Sequence, residues 1–329
     1  MHQIARNYED YECYFTPYYA DGFVKKLADN GFLDFTILAG KFRDDCLFYL
    51  ITNNLQIDYR GVQNDYDLVF TGSDLIIPKN ITGRKTILVQ EGMTDPENLM
   101  YYLVKYLKLP RYLASTSTTG LSDQYDVFCT ASEGYRDLFI KKGIDSKKIR
   151  VTGIPNYDNC RKYNKNRFPY KNFVLVATSD ARETYKYENR KKFIMDALEI
   201  ANGRQLIFKL HPNEFVERAT KEIKSLAPKA IVYSEGNIHE MIANCKILVT
   251  KYSTVVYTGI ALGKEVHSYF DLRELKKLAP IQNNGASGKA IADIGRTLLE
   301  ESIVERSFKK HNEIRKSKIK INKISAETI

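Results

Sequence analysis

The 329-residue sequence predicts an α/β protein of two domains, each carrying a mostly parallel sheet, that face each other across a cleft. Three observations lead there. Short apolar runs alternate with amphipathic stretches, the pattern of repeated βαβ units. The alternation lapses in a polar, basic stretch at 158–171 and then restarts. A chain of this length with 43% hydrophobic residues can also bury two cores of ordinary size.

In the first half, 34–39, 46–51, 66–70, 86–90 and 126–129 read as strands, being short and mostly rich in β-branched or aromatic residues. Helical spacing marks 20–29, 95–108 and 133–142, with Asp95 and Pro96 placed to cap and start the second of these. The stretch 158–171 reads as a linker, dividing the chain into 1–165 and 166–329; a solvated loop inside one domain is the plainer reading. In the second half, 173–177, 205–210, 230–233, 246–250 and 265–269 read as strands. The intervening 186–201, 214–226, 237–244 and 254–262 read as helices, and 285–317 as helical with a polar tail.

Composition excludes several classes. No run approaches the ~18 apolar residues of a membrane span, and the polar start lacks the apolar core of a secretory signal, so a cytoplasmic location is expected. The five cysteines are widely spaced with no CxxC pair, which argues for reduced thiols and against a disulfide framework or zinc knuckle. The net charge of +10 favours an anionic partner. The charge thickens at Arg306, Lys309, Lys310, Arg315, Lys316, Lys318, Lys320 and Lys323. That tail is either a solvated helix face or a peripheral contact with the inner face of a membrane. Phosphate-loop, GxGxxG, HExxH and G-x-S-x-G motifs are absent, as are base-reading motifs; no metal and no nucleic acid are expected.

In open α/β sheets ligands sit at the carboxyl ends of the strands, so residues just after strands carry the most information. His211 and Pro212 follow the apolar run 205–210. An imidazole there can donate to a phosphate, and a helix starting near Asn213 would add free N–H groups. A turn histidine bonding only backbone is the plainer alternative. Ser253 and Thr254 follow 246–250 and can cap the next helix, bond a phosphate, or both. Gln90, Glu91 and Gly92 close 86–90, where Glu91 is either a general base toward an acceptor hydroxyl or a surface carboxylate. Thr178, Ser179 and Arg182 follow 173–177 and suit a phosphate or a ribose, or else a capped helix start with a surface arginine. Gly153 and Pro155 shape a sharp turn that is a donor contact or simply a hinge. The hydroxyl-rich 115–120 reads as a cap or acceptor wall.

With these motifs in place, the chain resembles glycosyltransferases of GT-B architecture, which have two Rossmann-like domains and hold the donor nucleotide mainly on the second. The likeness runs through most of the chain and rests on three short motifs. It is nearest to bacterial sialyl- and Kdo-type transferases that use CMP-activated sugars. There an acidic-acidic-glycine motif supplies the base, while histidine-proline and serine/threonine motifs bind the donor. Here Gln90-Glu91-Gly92, His211-Pro212 and Ser253-Thr254 occupy those positions. Gln90 stands where the motif usually has a carboxylate, so the base falls to Glu91. The resemblance implies an inverting, metal-independent transferase of surface polysaccharide, capsule or lipopolysaccharide assembly. A CMP-sugar would be the donor and a glycan or lipid-linked molecule the acceptor. CDP-glycerol glycerophosphotransferases are similar at 211–212 and 252–254, and UDP-N-acetylglucosamine 2-epimerases share the two-domain plan. A non-catalytic nucleotide- or glycan-binding protein on the same fold is the remaining alternative.

Overall fold

The computed structural model describes residues 1–34, 36–179, 181–183, 187–302 and 304; the basic tail lies outside them. After the short helix α1 (His2–Ala5), a parallel pair forms between β1 (Tyr14–Phe15) and β2 (Gln56–Ile57), with α2 (Gly22–Asp29) and α3 (Gly40–Thr52) between them. The first large sheet is wholly parallel, in the order β3 (Val69–Thr71), β4 (Thr86–Val89), β5 (Val127–Thr130), β6 (Ile149–Val151). Helix α4 (Leu99–Leu107) leads from β4 towards β5, and α5 (Glu133–Lys142) from β5 to β6.

The second sheet contains β7 (Val174–Ala177), β8 (Leu206–Lys209), β9 (Ile231–Tyr233), β10 (Ile247–Thr250) and β11 (Glu265–His267), in the parallel order β11-β10-β7-β8-β9. Helices α6 (Arg190–Ala201), α7 (Val216–Leu226), α8 (Ile238–Asn244) and α9 (Val256–Ala261) make its crossovers, followed by α10 (Leu272–Leu278) and a closing helical stretch over 287–302. Every residue of β4, β5, β7, β8 and β10 is buried, as strands covered on both faces must be.

Several expected elements differ. The run 46–51 lies inside α3, not in a strand. A short apolar run does not by itself separate strand from buried helix, and its aromatic content tips the local preference the wrong way. The described residues of 34–39 form turns. Asn98, not Asp95, caps α4, accepting the Tyr101 N–H at 3.0 Å. Asp95 instead accepts from the Thr116 hydroxyl at 2.9 Å.

One apolar cluster runs through both lobes. It joins Leu88, Phe128, Tyr135 and Phe139 of the first to Leu175, Ile207, Leu248 and Tyr257 of the second. The hydroxyls of Tyr135 and Tyr257 meet there at 2.7 Å. The closing helix returns to the first lobe, where Ile291, Ala292 and Leu298 pack with Ile4, Tyr8, Ile87, Val89 and Val127. Tyr8 donates to the Ala292 carbonyl at 2.8 Å.

That return passes over Gly153, whose φ is +74° and whose missing Cβ would collide with the Ser287 hydroxyl and sit 2.8 Å from Ile281 Cγ1. By contrast, Gly203 has a similar φ of +80° but open space around it. Gly203→Ala should therefore cost only the left-handed backbone penalty of about 1–2 kcal/mol. Gly153→Ala should cost clearly more, because overpacking adds a further 1–3 kcal/mol or so. Urea unfolding of the two variants checks this; equal losses would mean that the return crossing is not packed as described.

Candidate functional site

Because all strands in each sheet are parallel, their carboxyl ends gather on one edge, where the following loops collect. In the first lobe, the loops after β3, β4 and β6 bring Gly72, Gln90–Gly92 and Thr152–Tyr157 to that edge. Gln90 does not face the cleft: it is 1% exposed, its Nε2 donates to the Gly92 carbonyl at 2.7 Å, and its Oε1 accepts the Ala131 N–H at 2.9 Å. It braces the turn that presents its neighbour.

Glu91 is that neighbour. Its side chain lies directly over Gly72, where an added Cβ would sit 2.7 Å from the Glu91 Cδ and 2.9 Å from its Cγ. The residue as a whole is solvent-exposed, yet its carboxyl is packed against Gly72. Burial raises its pKa above the usual 4.5, opposed in part by the Met1 amino group. The surroundings thus leave Glu91 a stronger proton acceptor when ionised than an exposed glutamate.

Across the cleft, Gly92 meets the second lobe. A Cβ on Gly92 would lie 3.1 Å from Thr254 Cγ2 and 3.8 Å from Thr254 Cβ. The same Cβ would lie 3.9 Å from Tyr157 Cε2 of the first lobe, and Asn156 Nδ2 reaches the Glu91 carbonyl at 3.5 Å. Glu91–Gly92, Asn156–Tyr157 and Ser253–Thr254 therefore share one narrow region.

In the second lobe, the ends of β10, β7 and β8 lie side by side, with Thr250 paired to Ala177 and Ala177 to Lys209. This sets Ser253–Thr254, Thr178–Ser179 and His211 on one rim. The loops after β8 and β10 are two strand spacings, roughly 10 Å, apart. His211 Nδ1 accepts the Asn213 N–H at 3.3 Å, which assigns the ring proton to Nε2, the tautomer that donates to an anion. The His211 N–H is itself held by Thr178 Oγ1 at 3.1 Å and Glu214 Oε2 at 3.0 Å.

Beneath the rim lies a buried ionic network. Arg190 Nη2 contacts Glu214 Oε1, Glu188 Oε2 at 2.9 Å and the Ser179 carbonyl at 3.3 Å. Lys251 reaches Glu188 Oε1 at 3.1 Å. Glu188 and Glu214 side chains are 1% and 0% exposed. The loops after β7, β8 and β10 are thereby tied to each other by charge.

Several expected roles move. Thr178 is buried and donates to Glu214, supporting His211 from below instead of facing a ligand. Arg182 turns to Glu222 at 2.9 Å. Neither Ser253 nor Thr254 caps α9, whose first flanking residue is Val255 with no side-chain cap; the Ser253 hydroxyl makes only a 3.5 Å contact with the Val255 N–H. Helix α7 starts at Val216, not near Asn213, and the Phe215 N–H already meets Glu183 at 3.4 Å. Gly153 serves the return crossing. Lys209 donates to the Leu210 and Ser234 carbonyls at 2.7 and 2.9 Å, and burial lowers its pKa. In 115–120, the Ser117 and Thr118 hydroxyls bond nearby carbonyls.

Sequence reading missed Tyr157, Glu188, Arg190, Glu214 and Lys251. Glu214, Lys251 and Tyr157 lay in highlighted segments without being singled out; a helix-initial arginine such as Arg190 reads as surface, since nothing local reveals its buried carboxylates. Among the described residues, no group of three or more His, Cys, Asp or Glu is placed to hold a metal ion.

No protein-family model and no curated protein matches the chain. Solved structures share its architecture. UDP-GlcNAc 2-epimerase from Neisseria meningitidis, bound to UDP-GlcNAc, aligns with a TM-score of 0.51 at 16% identity, covering 78% of this chain and 89% of that one. A variant of the wall teichoic acid polymerase TagF aligns with a TM-score of 0.49 at 13% identity, covering 76% of this chain and 78% of that one. The epimerase likeness shows a GT-B-like fold, two mostly parallel α/β lobes with a central cleft.

The raised Glu91 pKa fixes a sign. A carboxyl that protonates more readily in the folded than in the unfolded state favours folding at low pH, and loses that advantage as pH rises through the folded pKa. Glu91→Gln should therefore match the parent Tm near pH 3 and equal or exceed it at pH 7. A lower Tm at pH 7 would mean the carboxylate is stabilised, not desolvated. Arg190→Met should cost about 3–5 kcal/mol, because it takes the paired cation from buried Glu214 and leaves Glu188 to Lys251; denaturant unfolding would show a loss under 1 kcal/mol if the network were solvated.

Proposed function

We propose that the protein is a nucleotide-sugar-dependent inverting glycosyltransferase of surface polysaccharide or glycoconjugate assembly. The single observation carrying this reading is that Glu91–Gly92 of one lobe and Ser253–Thr254 of the other meet across the cleft. A base and a phosphate-binding group are thus opposed at molecular distance.

In this reading the donor lies along the second lobe's rim, its phosphate beside His211, Ser253 and Thr254. The acceptor enters on the side of Glu91. Glu91 takes the proton of the acceptor hydroxyl as that oxygen bonds the anomeric carbon. The bond from the anomeric carbon to the phosphate oxygen breaks, and the nucleotide leaves with the electron pair. His211 Nε2–H and the hydroxyls stabilise the charge growing on that oxygen. Attack opposite the leaving group inverts the anomeric centre. Burial in the cleft excludes water that would otherwise intercept the donor. The pattern at 90–92, 211–212 and 253–254 favours a CMP-activated sugar.

A thermal-shift series with CMP, CDP, UDP and GDP tests the donor, with CMP expected to raise the Tm most. Preference for CDP would redirect the reading to glycerol-phosphate transfer, and preference for UDP to epimerase-like chemistry. Glu91→Gln should keep the nucleotide shift and lose about 100-fold or more in turnover. His211→Ala should weaken both. Absence of any nucleotide shift, or turnover by Glu91→Gln within a few-fold of the parent, would refute the proposal.

A further inference from the structure

Helix α4 follows the loop that carries Glu91, and its sequence, LMYYLVKYL, holds one charged residue. A helix apolar all round is normally buried all round. Here only Tyr101 and Val104 are buried. The outward face leaves Leu99 75%, Tyr106 74% and Leu107 63% exposed, with Met100 and Tyr102 beside them. Tyr102 and Tyr106 stack at 6.4 Å between ring centroids. The surface continues past the helix end, where Leu109, Tyr112 and Leu113 are also exposed.

The charges around this surface are mainly basic. Lys105 and Lys108 lie within it, exposed, whereas the Arg111 guanidinium turns inward to the Asp74 carbonyl at 2.7 Å. Lys105 Nζ sits 3.0 Å from the Lys142 carbonyl, which brings the exposed Lys141 to its edge. Of the acids, Glu97 accepts from the Tyr102 hydroxyl at 3.2 Å, and Asp95 is held by Thr116. Leucines and tyrosines backed by lysines form the composition that settles at a bilayer interface. Apolar side chains enter the acyl boundary, tyrosine hydroxyls stay at headgroup level, and cations meet acidic lipid phosphates. A protein partner would more commonly face a patch depleted in lysine.

We propose that α4 and the segment through Leu113 dock this protein on an anionic lipid bilayer. The docking surface differs from the basic tail, and it stands on the surface chemistry alone, independent of the reaction proposed above. It would place the first-lobe side of the cleft next to the membrane, because the chain runs directly from Glu91 into α4.

The chain contains no tryptophan, so an introduced one reports alone. With phosphatidylglycerol vesicles, Tyr106→Trp emission should shift to the blue and become accessible to quenchers placed in the lipid acyl chains. A tryptophan on the outer face of the second lobe, Met195→Trp, should show neither. With vesicles of phosphatidylcholine alone, or at high salt, binding should weaken. In the full chain with its tail, the combined Leu99→Gln, Tyr106→Gln, Leu107→Gln variant should lose tenfold or more in sedimentation with acidic vesicles. These positions are exposed, so its Tm should hold. Three results would overturn the proposal: no Tyr106→Trp shift at saturating vesicle, sedimentation of the triple variant equal to the parent's, or a dimer in solution that the triple variant abolishes.

Discussion

Arg190 brings one guanidinium nitrogen against two buried carboxylates, Glu188 and Glu214, and against the carbonyl of Ser179. Each contact leads to a different loop. Glu214 holds the His211 backbone and the Thr178 hydroxyl; Glu188 holds Lys251 at the head of the Ser253–Thr254 loop. Burying such charges is costly, and the cost is recovered only while every partner stays in place. The position of the second lobe's rim therefore depends on one arginine that itself need touch no ligand.

The lobes are joined by a different chemistry. Tyr135, Tyr157 and Tyr257 pass their rings and hydroxyls between the sheets, with burial raising the pKa of each. The closing helix then returns to the first lobe, so chain from the far end of the sequence completes the core beneath β4 and β5. This combination, apolar at the joint and polar at the rim, keeps the two carboxyl edges opposed.

Much of this was legible in advance. The strands β4, β5, β7, β8 and β10 were visible because a strand buried on both faces must be a continuous apolar run. The position of Glu91, His211 and Ser253–Thr254 just after strands of parallel sheets was legible too. What escaped was non-local. The aromatic run in α3 looked like a strand, because its helical state depends on neighbours outside the window. The 23 tyrosines gave no hint that three of them form the joint. Arg190 and Glu188 carried no local signal, and the hydroxyls of Ser253 and Thr254 read as helix caps as well as phosphate ligands, although α9 starts beyond them. Gly153 read as a turn that was a donor contact or a hinge, since the segment it accommodates lies more than a hundred residues later.

The contact between Gly92 and Thr254 carries the whole account, because it makes two half-sites one cleft. A Cβ on Gly92 would lie 3.8 Å from that of Thr254, close to the mean separation in natural disulfides. Replacing both residues with cysteine and oxidising mildly should therefore join them, with the linked peptides found by mass spectrometry and the link reversed by dithiothreitol. Efficient formation of that bond is the predicted result. Two thiols that stay reduced while the protein remains folded would contradict the arrangement of the lobes, and with it the cleft.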